Sequence, residues 1–165
     1  MKKLLSFLLA SALCVVCAVP AFAAEAVPQQ QNGETVISVS EKDLGNGFTM
    51  ETVVSIPKSI SKIHVDSITK TRTASTTNTI KHDGTFVGSI TLIANFGYNG
   101  SSSWVNSMRT GHSIASGWSY ENENTWESGG TANMSAAMIK KLAFITITEV
   151  DPSISTTCSP TGQIS

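Results

Sequence analysis

His64, His82, His112 and Cys158 are the only histidines and cysteine beyond residue 23. No two of them stand at the H-x3-H or C-x2-C spacing that lets neighbouring side chains share one ion. A metal site is therefore not expected, and neither is a cofactor. Glu121, Glu123 and Glu127 crowd one stretch with Asn122 and Asn124. Oxygen-rich loops hold calcium, but the Asp-rich spacing of a calcium loop is missing. The stretch reads as a solvated acidic loop. Serines are abundant, yet there is no G-x-S-x-G elbow. Gly111-His112-Ser113 with Asp66 offers a Ser-His-Asp set, a combination this many serines produce by chance. Glycoside hydrolysis needs two carboxyls facing each other across a cleft. Glu121 and Glu123 are two apart and point the same way on an extended chain. No phosphate loop or dinucleotide fingerprint appears. The expectation is a protein that is not an enzyme.

The aromatic residues offer a positive signal. Trp118, Tyr120 and Trp126 flank the polar run Glu121-Asn122-Glu123-Asn124, and Tyr98 stands at the Asn99-Gly100 turn. Exposed Trp and Tyr rings stack on the C–H faces of sugars or anchor a protein partner. Tyr98, Trp118, Tyr120 and Trp126 are thus the candidate ligand-binding residues. The competing assignment puts Trp104 and Trp118 in the core, in phase with Met108 and Ile114. For Trp126, between Thr125 and Glu127, the core and the exposed placement both stay open.

These side chains must be carried by strands. Ser and Thr make up 40 of the residues after position 23 and alternate with Val, Ile, Phe and Leu. Amphipathic helical spacing is nearly absent, where an average domain is about a third helix. Thr35 to Ser40 is a short strand, and Gly45-Asn46-Gly47 a turn. Phe48, Met50, Thr52, Val54 and Ile56 then share one face of a strand that Pro57 ends. Ile63, Val65 and Ser67 open another run, which continues through the Thr-rich segment Thr69 to Ile80 as an edge or solvent-exposed strand. Asp83-Gly84 between two β-like runs suits a type I′ hairpin. After it Phe86, Gly88, Ile90, Leu92, Ala94, Phe96 and Tyr98 keep a period of two, the mark of a half-buried antiparallel strand. Trp104, Met108, Ile114 and Trp118 hold even phase, with a bend or bulge at Gly111. Glu121 to Gly130 reads as a loop or loose connection. Thr131 to Val150 is expected as one long strand, with a short helix over 134–141 as the alternative. Asp151-Pro152 turns the chain before a last strand, Ile154 to Cys158. About 7–9 strands at this turn spacing give an all-β fold, an antiparallel sandwich or a Greek-key barrel.

Three pieces carry a resemblance: Phe96-Gly97-Tyr98-Asn99-Gly100-Ser101-Ser102, the Gly117-Trp118 pair, and the tail from Thr157 to Ser165. Together they resemble a family of small secreted β-rich proteins of Gram-positive bacteria, grouped as a domain of unknown function. The resemblance implies an exported β domain and transfers no catalytic residue.

Met1-Lys2-Lys3, the apolar run Leu4 to Val19, Pro20 and Ala21-Phe22-Ala23 form the n-, h- and c-regions of a secretory signal. The run is shorter than the roughly 20 residues that cross a bilayer. Cleavage is expected after Ala23, giving a signal peptide (1–23), a flexible leader (24–33) and a single β domain (34–165). Cys14 and Cys17 follow Leu13 and Val16, not the small residue lipidation needs, so they leave with the signal. Cys158 then has no partner for an internal disulfide and is read as structural. Losing Lys2 and Lys3 leaves 9 basic against 12 acidic residues, a formal charge of −3. That sign and the lack of a basic cluster argue against nucleic acid. No later segment is apolar enough to re-anchor the chain. The expected product is a released, secreted, non-catalytic β domain that binds an extracellular glycan or protein. A self-assembling surface or matrix protein, pairing through the Thr-rich edge, and a small secreted hydrolase are the alternatives.

Overall fold

A computed structural model describes residues 30–31, 33–57 and 69–165. Residues 1–23, expected from the sequence to be a signal peptide, most of the expected leader, the Ile63–Val65–Ser67 run, His64 and Asp66 lie outside the described residues. All regular structure described is strand: β1 (Gln30–Gln31), β2 (Glu34–Gly45), β3 (Phe48–Pro57), β4 (Lys70–His82), β5 (Thr85–Tyr98), β6 (Ser103–Ile114), β7 (Ser119–Ser128), β8 (Thr131–Leu142), β9 (Ile145–Val150) and β10 (Ser153–Thr157). The fold is an antiparallel β-sandwich. Strands β1 to β6 form one sheet in chain order, so it is a meander and not a Greek key. The second sheet is built around β8, with β7 on one side and β10 and β9 on the other.

Local chemistry explains the hairpins. Asn46-Gly47 and Asp83-Gly84 have positive φ at both turn residues, 52°/78° and 48°/76°, as type I′ turns require. Asp83 N–H donates to Gly47 C=O at 2.8 Å and ties the two turns together. β9 and β10 form one line, since Met138↔Val150 and Ser135↔Ser153 keep a single register along β8. Pro152 breaks this line because it has no N–H to give. Its carbonyl still accepts from Ala136 N–H at 3.2 Å.

The core lies between the sheets. Ala74, Ile80, Ile90, Leu92, Ala94 and Phe96 face Ala132, Met134, Met138, Ile154 and Cys158, all essentially without solvent exposure. Burying a ring such as that of Phe96 contributes about 1.5–3 kcal/mol. Gly88 lets the sheets approach: a Cβ there would lie 2.9 Å from Met138 Sδ and 2.8 Å from Ser113 O. Polar groups in this interior are paired. Thr76 and Thr156 share a hydroxyl–hydroxyl bond of 2.6 Å. Asn78 donates to Ser153 C=O at 2.8 Å and accepts from Thr52 Oγ1 at 2.8 Å. Among the described residues no buried side-chain polar atom lacks a partner, as the cost of an unpaired one demands.

Four elements differ from the sequence reading. The Thr-rich segment is not an edge: β4 pairs with β3 and β5 along most of its length. Its odd positions carry hydroxyls outward, while Ala74, Thr76, Asn78 and Ile80 point in. The run from Glu121 is a strand through Ser128, because a strand at the rim of a sheet needs little apolar alternation. Residues 131–150 form two strands, not one, turning at Ala143-Phe144, and 134–141 is strand, not helix. The bulge of β6 falls not at Gly111, which pairs with Thr91, but at Asn106, between the pairs Asn95↔Ser107 and Phe96↔Val105. A one-residue insertion flips the side-chain phase. Trp104 therefore lies on the face opposite Met108 and outside the core.

Candidate functional site

The four expected ligand-binding residues do not form one platform. Tyr98 is half-buried where the C-terminal tail folds back, its ring against Gly162. Trp118 and Tyr120 pack at the rim of the core. Trp118 meets Phe48 edge-on at 6.1 Å. Trp126, paired with Asn133, is 44% exposed on the outer face of the second sheet. Tyr120 belongs to a cluster of its own. It stacks on His112 at 3.8 Å and donates to Glu123 Oε2 at 2.7 Å. Thr110 donates to Glu123 Oε1 at 2.7 Å.

A bulge around Asn122, at φ 57°, lets Glu123 turn back to Tyr120. The bonds from Tyr120 and Thr110 hold the Glu123 carboxyl below its usual range. Burial, and then the bond to that carboxylate, push the Tyr120 phenol well above its usual value. Glu121 pairs with Lys141 at 2.6 Å, so the acidic stretch is parcelled among separate partners. Among the described residues no three His, Cys, Asp or Glu side chains gather as they would around a metal ion. β6 sends His112 to the Ile90 face and Ser113 to the Ser89 face, which parts the histidine from its neighbouring hydroxyl. Cys158 is 1% exposed, and burial raises its thiol.

A different surface gathers the polar side chains. Cross-strand partners share a face. The outer face of the first sheet therefore brings together Thr73, Ser75, Thr77 and Thr79 of β4, Ser89, Thr91, Ile93 and Asn95 of β5, and Ser107 and Arg109 of β6. On the other side of β4 it carries Glu51, Val53 and Ser55 of β3 and Val36 of β2.

This face holds two hollows. One, of about 260 Å³, is lined by hydroxyls from Ser55, Ser75, Thr77 and Thr79 and by the carboxylates of Glu34 and Glu51. The other, of about 350 Å³, is lined by Thr73, Ile93, Asn95, Ser107 and Arg109. They adjoin, because Ser75 of the first is the direct partner of Ile93 of the second. Thr77 and Thr91 hydroxyls bond at 2.9 Å, and Ser55 Oγ donates to Glu34.

Trp104 stands at the end of this surface. Its ring lies over Gly97, where any Cβ would collide with the indole. A chain of hydrogen bonds fixes it: Trp104 Nε1–H to Asn106 Oδ1 at 2.9 Å, Asn106 Nδ2 to Asn95 Oδ1 at 3.0 Å, and Asn95 Nδ2 to Thr73 Oγ1 at 2.9 Å. The arrangement offers an aromatic plane, amide and hydroxyl groups of both polarities, two carboxylate acceptors and one guanidinium. It is equipped to hold a neutral, hydrogen-bonding ligand. Sequence reasoning missed Trp104 because alternation alone places it with Met108. The Gly97 opposite it is meaningful only once the register is known. Compared with known proteins, the chain matches no family model, no curated protein and no solved structure.

Proposed function

We propose that this chain is a secreted, non-catalytic β-sandwich that binds an extended glycan along the outer face of its six-stranded sheet. The observation that carries the reading is the hydrogen-bonded line from Trp104 through Asn106 and Asn95 to Thr73, leading into the two adjoining hollows. A sugar presents an apolar C–H face and a rim of hydroxyls. The half-buried indole suits the first, and the Asn, Ser and Thr groups suit the second. Glu34 and Glu51 accept hydrogen bonds from hydroxyls without a large desolvation cost, since both stay partly in water. Hollows in tandem suit several sugar units more than one. The n-, h- and c-regions at residues 1–23 favour an extracellular ligand.

Titration of the purified chain against a panel of soluble oligosaccharides and polysaccharides tests this. Trp104→Ala is expected to weaken binding at least about tenfold, or 1.4 kcal/mol, while Trp126→Ala leaves it unchanged. A panel without a binder, or a binder indifferent to Trp104→Ala, overturns the assignment.

A further inference from the structure

We infer that the β8–β9 hairpin is a membrane-docking element whose tip enters the headgroup region of a bilayer containing anionic lipid. This surface is separate from the glycan-binding face and does not depend on it. Leu142, Phe144, Ile145 and Ile147 are 70%, 98%, 72% and 54% exposed, the largest apolar exposures among the described residues. They occupy one protruding hairpin. The other tight turns at this end of the sandwich, Asn46-Gly47, Asp83-Gly84 and Ser116-Gly117, are polar. Here the turn is Ala143-Phe144, with Ala143 held at φ 56° in the left-handed region that glycine or asparagine usually takes. An apolar turn in this conformation opposes ordinary turn chemistry, so its side chains are not explained by folding.

The residues behind the tip say what it meets. Lys140 and Lys141 precede it on β8, two to three residues before Ala143, or about 7–10 Å along a strand. An interfacial apolar element sinks about 5–10 Å, to the boundary of headgroups and acyl chains. At that depth the exposed Lys140 ammonium reaches lipid phosphates, while the charge of Lys141 is shared with Glu121. Lys140 Nζ stands 5.9 Å from the Trp118 ring, and Lys141 is held by Glu121. An indole beside a lysine, here Trp118 beside Lys140, is a pairing that membrane–water interfaces favour. An apolar convex tip with cations behind it complements an anionic bilayer.

The test replaces Phe144 with Trp, a change that a 98% exposed site tolerates. The emission of residue 144 is read as the difference between F144W and the parent chain. With vesicles of phosphatidylcholine and phosphatidylglycerol this emission is expected to shift to the blue. It is also expected to be quenched by brominated acyl chains, with little change for phosphatidylcholine alone. The double variant Lys140→Glu/Lys141→Glu, built on F144W, should raise the lipid concentration at half-saturation about tenfold. Emission that stays solvent-like with anionic vesicles overturns the inference. So does a blue shift that needs only a high protein concentration, which would assign the tip to a second copy of the chain. Flotation of Phe144→Asp gives a second readout: loss of vesicle binding with an unchanged thermal midpoint supports docking, and undiminished binding overturns it.

Discussion

β4 and β9 invert the usual link between composition and position. Of the 13 residues of β4 only Ala74 and Ile80 are apolar, yet the strand runs through the middle of the larger sheet and lends four side chains to the interior. β9 spells Ile-Thr-Ile-Thr-Glu-Val, yet only Val150 is buried. Pairing accounts for the difference. β4 has strands on both sides, so its backbone is satisfied, and its inward Thr76 and Asn78 meet partners across the sandwich. β9 has β8 on one side and, among the described strands, packs against no other. A polar residue is cheap to bury once its hydrogen bonds are remade, whereas an apolar residue is buried only if something covers it.

Four substitutions would break or sharpen this contrast. The largest effect belongs to Asn78→Ala. It strands Ser153 C=O and Thr52 Oγ1 and leaves a void, and urea unfolding should show a loss of about 3 kcal/mol. Next is Thr76→Val, which keeps the shape but leaves the Thr156 hydroxyl alone in the core, at a cost of about 1–2 kcal/mol. Adding Thr156→Val should restore stability to within about 0.5 kcal/mol of the parent, because both halves of the bond are then gone. A double mutant no better than the single one would mean that the pair matters for shape more than for its hydrogen bond. The smallest effect is expected at β9, where Ile147→Ser should move the unfolding midpoint by the equivalent of at most about 0.5 kcal/mol. A large loss there would show that β9 packs more closely than its exposure suggests.

What the sequence made legible follows from periodicity. Ile90, Leu92, Ala94 and Phe96 alternate without interruption, and they are the buried face of β5. Asp83-Gly84 announces its turn because few residue pairs tolerate two positive φ angles. Alternation fails wherever a bulge intervenes. Val87 is buried and Phe86 exposed because the ladder slips between Ile80 and Lys81. Trp104 changes face at Asn106 for the same reason. The Ala143-Phe144 turn left no trace, since neither residue is a turn former. The candidate site was the least legible part. Glu51, Ser75, Thr77 and Ile93 become neighbours only through cross-strand register, a property of pairs of segments. The aromatic residues that stood out in the sequence were conspicuous because polar residues surrounded them. In two of the four cases, Tyr120 with Glu123 and Tyr98 with the tail, those polar residues or the tail fold onto the ring.

The strictly sequential order of β1 to β6 has a kinetic consequence. Each pairing in the larger sheet joins strands that follow one another in the chain, so the loop closed at each step stays small beside the whole chain. Such a topology can zip outward from one hairpin, and the turn at Asp83-Gly84, between the two longest strands, is the natural starting place. The second sheet has no such route to its final contacts. β10 reaches β4 across some 80 residues through Thr76–Thr156. Beyond it, the tail hydrogen-bonds back onto Thr157 and receives Arg72 at Gly162 C=O. Folding should therefore end where the chain ends. A chain shortened before Ser153 would keep the turns that start the process and lose the closure that makes it final.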